Sequence, residues 1–153
     1  MAQTTGALSP QDLHVGFSTD GSAWTEVTGS ANSVEVSGGE RQSGSTRTFQ
    51  STAPIVKYGG KESLTVTVRG VYSETADEAY LLAQAAYDND TALYVRWSPG
   101  GGDSGDLGYT TSEGKVMTPP YPSGAADTPD PMLVEIAVEV ASVTQASIGT
   151  AGW

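Results

Sequence analysis

Three groups of residues have the types that chemistry uses, and their spacing decides against each. Gly102-Asp103-Ser104-Gly105 matches the nucleophile tetrapeptide of chymotrypsin-like proteases, and the one histidine, His14, lies upstream. A serine nucleophile there needs a histidine base and a buried aspartate, mounted on a double β-barrel. A chain of 153 residues is too short for two barrels, His14 falls on the polar side of a short alternating strand, and the motif continues with Asp106 where the proteases have Gly. The tetrapeptide reads as a flexible loop. Asp88-Asn89-Asp90 and Asp103-Ser104-Gly105-Asp106 are calcium-like runs of oxygen ligands. Neither has the third ligand, central Gly and terminal Glu of an EF-hand loop, and no nonapeptide repeat is present. Glu135 and Glu139 are spaced as paired carboxylates, but four residues along a strand is about 13 Å, outside both glycosidase geometries. Zero Cys excludes disulfides, iron–sulfur clusters, thiol catalysis and cysteinyl zinc. The expectation is a non-enzyme with no catalytic residues, no cofactor and no metal.

Composition points the same way. Seven Lys and Arg against 18 Asp and Glu give a net charge of −11, so nucleic acid will not be gripped by neutralising its phosphates. With 37% hydrophobic and 16% charged residues, the chain is neither a disordered polyelectrolyte nor a membrane protein. No apolar run approaches the ~18 residues of a membrane span, and MAQTTGALSPQD has neither the basic nor the apolar region of a signal peptide. The charge is uneven. Residues 1–73 hold six acids and five bases; residues 74–153 hold twelve acids and two bases. Between Arg41 and Lys61 lie Arg47 and Lys57 and no acid. A solvated loop is the simple reading of this basic run; a complementary contact with another copy is the sharper one.

The elements follow from periodicity. Leu13, Val15 and Phe17 share one strand face, and Thr19-Asp20-Gly21-Ser22 supplies turn chemistry. Trp24–Val27 and Ser33–Val36 read as short strands. Leu64, Val66 and Val68 alternate with Thr65, Thr67 and Arg69; Leu93, Val95 and Trp97 alternate with Tyr94 and Arg96. The longest alternation sets Met132, Val134, Ile136, Val138 and Val140 against Leu133, Glu135, Ala137, Glu139 and Ala141. One helix is expected over 75–89, from a stripe of Ala76, Ala79, Tyr80, Ala83, Ala86 and Tyr87, with Thr75 and Glu78 as a capping box. Residues 98–106 and 118–131 are Gly- and Pro-rich loops. A long loop is expected over 38–62, and arms over 1–11 and 142–153 that order only on assembly, because their apolar content is too small to offset ordering.

The succession of motifs resembles a known family. Asp-Gly-Ser-x-Trp (Asp20 to Trp24), Ser-Val-Glu-Val (Ser33 to Val36) and a Gly/Ser loop with Arg residues come first. Leu-Thr-Val-Thr-Val-Arg (Leu64 to Arg69), the helix, Leu-Tyr-Val-Arg-Trp-Ser-Pro (Leu93 to Pro99) and Pro-Tyr-Pro (Pro120 to Pro122) precede the long last strand. From about Asp12 to Val143 this order is similar to the major tail tube proteins of phages with long, flexible, non-contractile tails. The resemblance implies a mainly β fold: a β-sandwich or partial barrel with one flanking helix, a long inter-subunit loop and extended terminal arms. It implies hexameric rings stacked into a hollow tube of the virion, assembled in the host cytoplasm. The partners would be further copies of the chain, a tape-measure protein, transiting double-stranded DNA, and tail-end and baseplate proteins. On this basis Arg41, Arg47, Lys57 and Lys61 are candidate subunit-interface residues. Glu35, Glu135 and Glu139 are candidate lumen-lining residues, with Arg69 and Arg96 as local partners. Two other readings stay open: a β-sandwich binding module for carbohydrate or surface recognition, with Trp24, Trp97 and several Tyr as a sugar platform, and the tube of a contractile tail or secretion system.

Overall fold

Alternation in sequence becomes sidedness in space. The computed structural model describes residues 8–50 and 53–153. Strand β1 spans His14–Ser18, β2 Thr25–Glu26, β3 Ala31–Gly38, β4 Arg41–Thr46, β5 Ile55–Lys61 and β6 Leu64–Val71. After helix α1 (Ala79–Asp88) come β7 (Tyr94–Ser98), β8 (Leu107–Thr111), β9 (Gly114–Val116), β10 (Leu133–Val140) and β11 (Val143–Ser147). They form a five-stranded sheet in the order β11-β8-β7-β1-β2, a four-stranded sheet β3-β6-β10-β9 and a separate β4-β5 pair. Every pairing is antiparallel, so one face of each strand can meet the core while the other meets water.

One core joins the two larger sheets and the helix. Val15 and Phe17 of β1 and Val95 and Trp97 of β7 meet Val66 and Val68 of β6 and Val134, Ile136 and Val138 of β10. All these side chains are buried, and each is large enough that burial contributes about 1.5–3 kcal/mol. The helix adds only Ala79, Ala83 and Ala86 to the core, so its backbone lies close against it. The turn after β1 is fixed by Asp20, whose carboxylate accepts the N–H of Ser22 and Ala23 and the hydroxyl of Ser18. The backbone donor of Ser22, foremost among these, holds the carboxyl well below the usual range.

Four expectations need correction. The helix starts at Ala79, not at residue 75, because Asp77 sits at φ 64° and turns the chain out of helical geometry. The Thr75–Glu78 capping box does not form. Thr75 N–H donates to Ser73 Oγ, Glu78 makes no capping bond, and Ala79 N–H reaches Ser30 Oγ at 3.4 Å. The 38–62 segment is no irregular loop; β4 and β5 pair from Arg41↔Lys61 to Thr46↔Ile55. The 142–153 segment is no free arm. β11 pairs with β8 along Val143↔Thr111 to Ser147↔Leu107, and Ile148 is buried beyond it. Edge pairing and that anchor provide the ordering that composition withheld. Of the expected N-terminal arm, residues 1–7 lie outside the described residues.

Candidate functional site

The solvent face of the four-stranded sheet gathers the predicted carboxylates. Glu35 on β3 and Glu135 on β10 flank Arg69 on β6. Arg69 Nε donates to Glu135 at 2.8 Å and a terminal nitrogen to Glu35 at 3.1 Å, so one guanidinium spans three strands. The bond to Glu135, then that to Glu35, raises the Arg69 pKa above its ordinary value. Glu139, two pleats along β10 on the same face, accepts the Ser63 hydroxyl at 2.6 Å. The structure thus brings Glu35, Glu135 and Glu139 onto one face and confirms Arg69 as a partner. Arg96 is not one. It lies on β7, in the other sheet.

Arg96 instead forms the centre of a stack that the sequence did not announce. Its guanidinium carbon stands 4.7 Å from the ring of Trp24 and 4.7 Å from that of Trp153. Burial lowers its pKa, opposed by the nearby charge of Glu26, and its Nε is buried with no hydrogen-bond partner among the described residues. Two glycines make room. A Cβ on Gly16, opposite Arg96 in the ladder, would stand 3.1 Å from Arg96 Nε. A Cβ on Gly108 would run into the Trp153 indole. The His14 ring, 6.2 Å from that of Trp153, belongs to the same assembly. The face of β1 read as polar is therefore covered, because the last residue of the chain folds back over it.

The residues of the catalytic and ligand motifs are engaged as follows among the described residues. His14 Nε2 faces Glu26 Oε1 at 3.2 Å, its Nδ1 is buried without a partner, and exposed Ser104 takes no hydrogen bond. The Ser104 loop is tied instead to the C-terminal segment. Gly105 N–H donates to the Ile148 carbonyl, and Ile148 N–H donates to that of Asp106. Asp88 accepts from Gln84, and Asp90 pairs with Lys115 through its side chain and its carbonyl. No group of three metal-ligating side chains occurs among the described residues. Trp97 stacks on Tyr109 at 5.4 Å in the core, and Trp24 lies over Arg96, so neither is a free sugar platform.

What remains at the surface is the β4-β5 hairpin. All its described residues are exposed, including Arg41, Arg47, Lys57 and Lys61 and the apolar Phe49, Ile55, Val56 and Tyr58. Long apolar side chains on both faces of a two-stranded ribbon gain nothing from the fold that carries them.

No family model and no curated protein matches the chain. Solved structures do match, over nearly the whole length of both partners. The chain is similar to a subunit of the sheath–tube complex of an extracellular contractile injection system, PVC, in its extended state. There the TM-score is 0.66 at 15% identity, over 96% of this chain and 100% of that one. The SPP1 tail tube gives 0.69 at 14% identity, over 95% and 83%. The tail of an empty GTA particle with C6 symmetry gives 0.66 at 11%, over 92% and 98%. The fold is that of tail tube proteins, and the likeness spans contractile injection systems as well as tails. Among the described residues, no helix is long and apolar enough to cross a membrane.

Proposed function

We propose that this chain is a structural tube subunit of a virion, closing into hexameric rings that stack into a hollow tail. The supporting observation is the fold match across whole chains of solved tubes, combined with a projecting basic and apolar hairpin that its own fold leaves uncovered. Sixfold closure follows the C6 symmetry of one of these neighbours. The long, flexible, non-contractile type rests on the sequence resemblance, and a co-purifying sheath would move the chain to the contractile class. The tape-measure protein, the tail-end and baseplate proteins and transiting DNA are the partners of this assembly.

In this reading the Glu35–Arg69–Glu135 face, with Glu139, lines the lumen. Duplex DNA carries one charge per ~1.7 Å of axis, so a basic wall would hold it and release its counterions. Three carboxylates against one guanidinium and Lys115, whose ammonium is paired with Asp90, leave the wall anionic, and DNA slides over water and ions. The hairpin, with Arg41, Arg47, Lys57 and Lys61, reaches a neighbouring copy. Ser104 has no catalytic part, and Ser104→Ala assembles as the parent does. Negative-stain microscopy of the purified chain tests the reading: rings or tubes are expected, and dispersed monomers at high concentration would overturn it.

A further inference from the structure

Two buried polar atoms beside the Trp153 indole have no partner of their own. His14 Nε2 faces Glu26 Oε1 at 3.2 Å, which leaves its Nδ1 without a hydrogen bond among the described residues, and Arg96 Nε is in the same position. Both side chains border the indole, the Arg96 guanidinium 4.7 Å from its centre and the His14 ring 6.2 Å away. A buried polar atom without a partner gives up its hydration and gets nothing back, and most native ones are satisfied. Closing the structure over this spot therefore carries a standing penalty.

The segment that closes over it is anchored at its ends. Ile148 is buried apart from the core that joins the two sheets, and its backbone bonds to Gly105 and Asp106. Trp153 N–H donates to the Gly102 carbonyl at 3.1 Å. Between these anchors Gly149, Thr150 and Ala151 are exposed, and Gly152, at φ 70°, turns its N–H back to the Gly149 carbonyl. The receiving loop is itself built on glycine, with Gly101, Gly102 and Gly105 at φ 104°, 87° and 94°, where other residues are strained. A Cβ on Gly102 would stand 3.5 Å from His14 Nδ1, so the residue that holds Trp153 also lies against the unpartnered nitrogen.

We propose that residues 148–153 form a strap that opens and closes on the folded subunit, with Trp153 as its bolt. Closure takes Ile148 and the indole out of water and gives Arg96 its second ring. Opening lets water reach His14 Nδ1 and Arg96 Nε, and it returns backbone freedom to the exposed turn. These terms oppose one another, so the strap belongs to the low-stability end of the fold, while β6 and β10 carry the global stability. An open strap bares the Trp24–Arg96 face of the five-stranded sheet, the face opposite Val15, Phe17, Val95 and Trp97. In the tube reading that face is turned away from the lumen, and the strap sets what the outer wall presents. Strap motion itself belongs to the single chain and holds or fails apart from that reading.

Amide hydrogen exchange of the purified full chain, read residue by residue, is the test. The N–H groups of Gly105, Ile148 and Trp153 are the donors that closure protects. They should exchange together, through an opening insensitive to denaturant, well before the amides of β6 and β10. His14→Phe keeps a ring against the indole and removes the unpartnered nitrogen, so it should slow that exchange several-fold. Gly108→Ala drives the indole from its seat and should speed it several-fold, with β6 and β10 unchanged. Exchange of these amides only with global unfolding, or at the rate of unstructured chain, overturns the strap. So does a folded His14→Phe chain that exchanges as fast as the parent. Where His14→Phe does not fold, Gly108→Ala decides, and exchange unchanged from the parent overturns the strap. None of these outcomes needs polymer, so a chain that never forms tubes overturns the tube reading and leaves the strap standing.

Discussion

Gly108→Ala is a small change with a large expected effect, because the three atoms nearest to the added Cβ all belong to the Trp153 indole. The indole must leave its seat. It then loses its position 4.7 Å from Arg96, and with it one side of the Trp24–Arg96–Trp153 stack. A cation–π contact contributes about 0.5–2 kcal/mol, depending on how dry it is, and overpacking costs about 1–3 kcal/mol. Each kcal/mol corresponds to roughly 2–4 °C in Tm for a domain of this size. Glycine in a strand has the opposite intrinsic sign, since replacing it by alanine where the backbone allows stabilises by about 0.4–1 kcal/mol. The assay is therefore a double-mutant cycle read by thermal unfolding. Gly108→Ala should lower Tm in the parent, Trp153→Ala should lower it alone, and Gly108→Ala should be neutral or stabilising once Trp153→Ala has emptied the seat. An equal loss from Gly108→Ala in both backgrounds would refute the claim that Gly108 exists to seat the last residue.

Asp20→Asn should destabilise the β1–β2 turn with a defined pH dependence. The folded-state pKa is depressed, so the stabilisation is present above the unfolded value near ~3.9 and is lost as pH falls through the folded pKa. The Tm gap between parent and variant should close in strong acid, and a constant gap would contradict it. Arg41→Glu with Arg47→Glu should weaken polymerisation while sparing the monomer's circular dichroism, and high salt should weaken the parent alike, since these charges are exposed. Unchanged polymer yield in both would remove the electrostatic role of the hairpin. Replacing Glu35, Glu135 and Glu139 together by Lys should leave tails that form and eject DNA slowly; normal ejection from normal tails would take these carboxylates off the lumen wall.

The sequence was readable wherever one strand face had to be apolar. In β6 and β10 the residues Val66, Val68, Gly70, Val134, Ile136, Val138 and Val140 are buried, while the alternating Thr65, Thr67, Arg69, Glu135, Ala137 and Glu139 are not. The carboxylates Glu35, Glu135 and Glu139 could be placed on one face for the same reason. What escaped had no such contrast. β4 and β5 are exposed on both faces, so only the partner strand defines them. β8 and β9 are short and each includes a glycine. β11 is polar and ordered by β8, Ile148 and Trp153 rather than by its own apolar content. The Thr75–Glu78 pattern had the residues of a cap, but the backbone at Asp77 does not permit one. The Arg96 stack joins residues from three distant parts of the chain, and no local spacing encodes such a meeting. Its one legible trace is a glycine at 16 and another at 108, placed where a strand ordinarily has side chains.

The central claim, that this fold makes a hollow sixfold tube, is tested most directly by end-on electron micrographs of the purified, polymerised chain. Rotational analysis of the averaged views should show a sixfold harmonic around an open central channel. Particles without that symmetry or without a channel, or a chain that stays monomeric at high concentration, would contradict it.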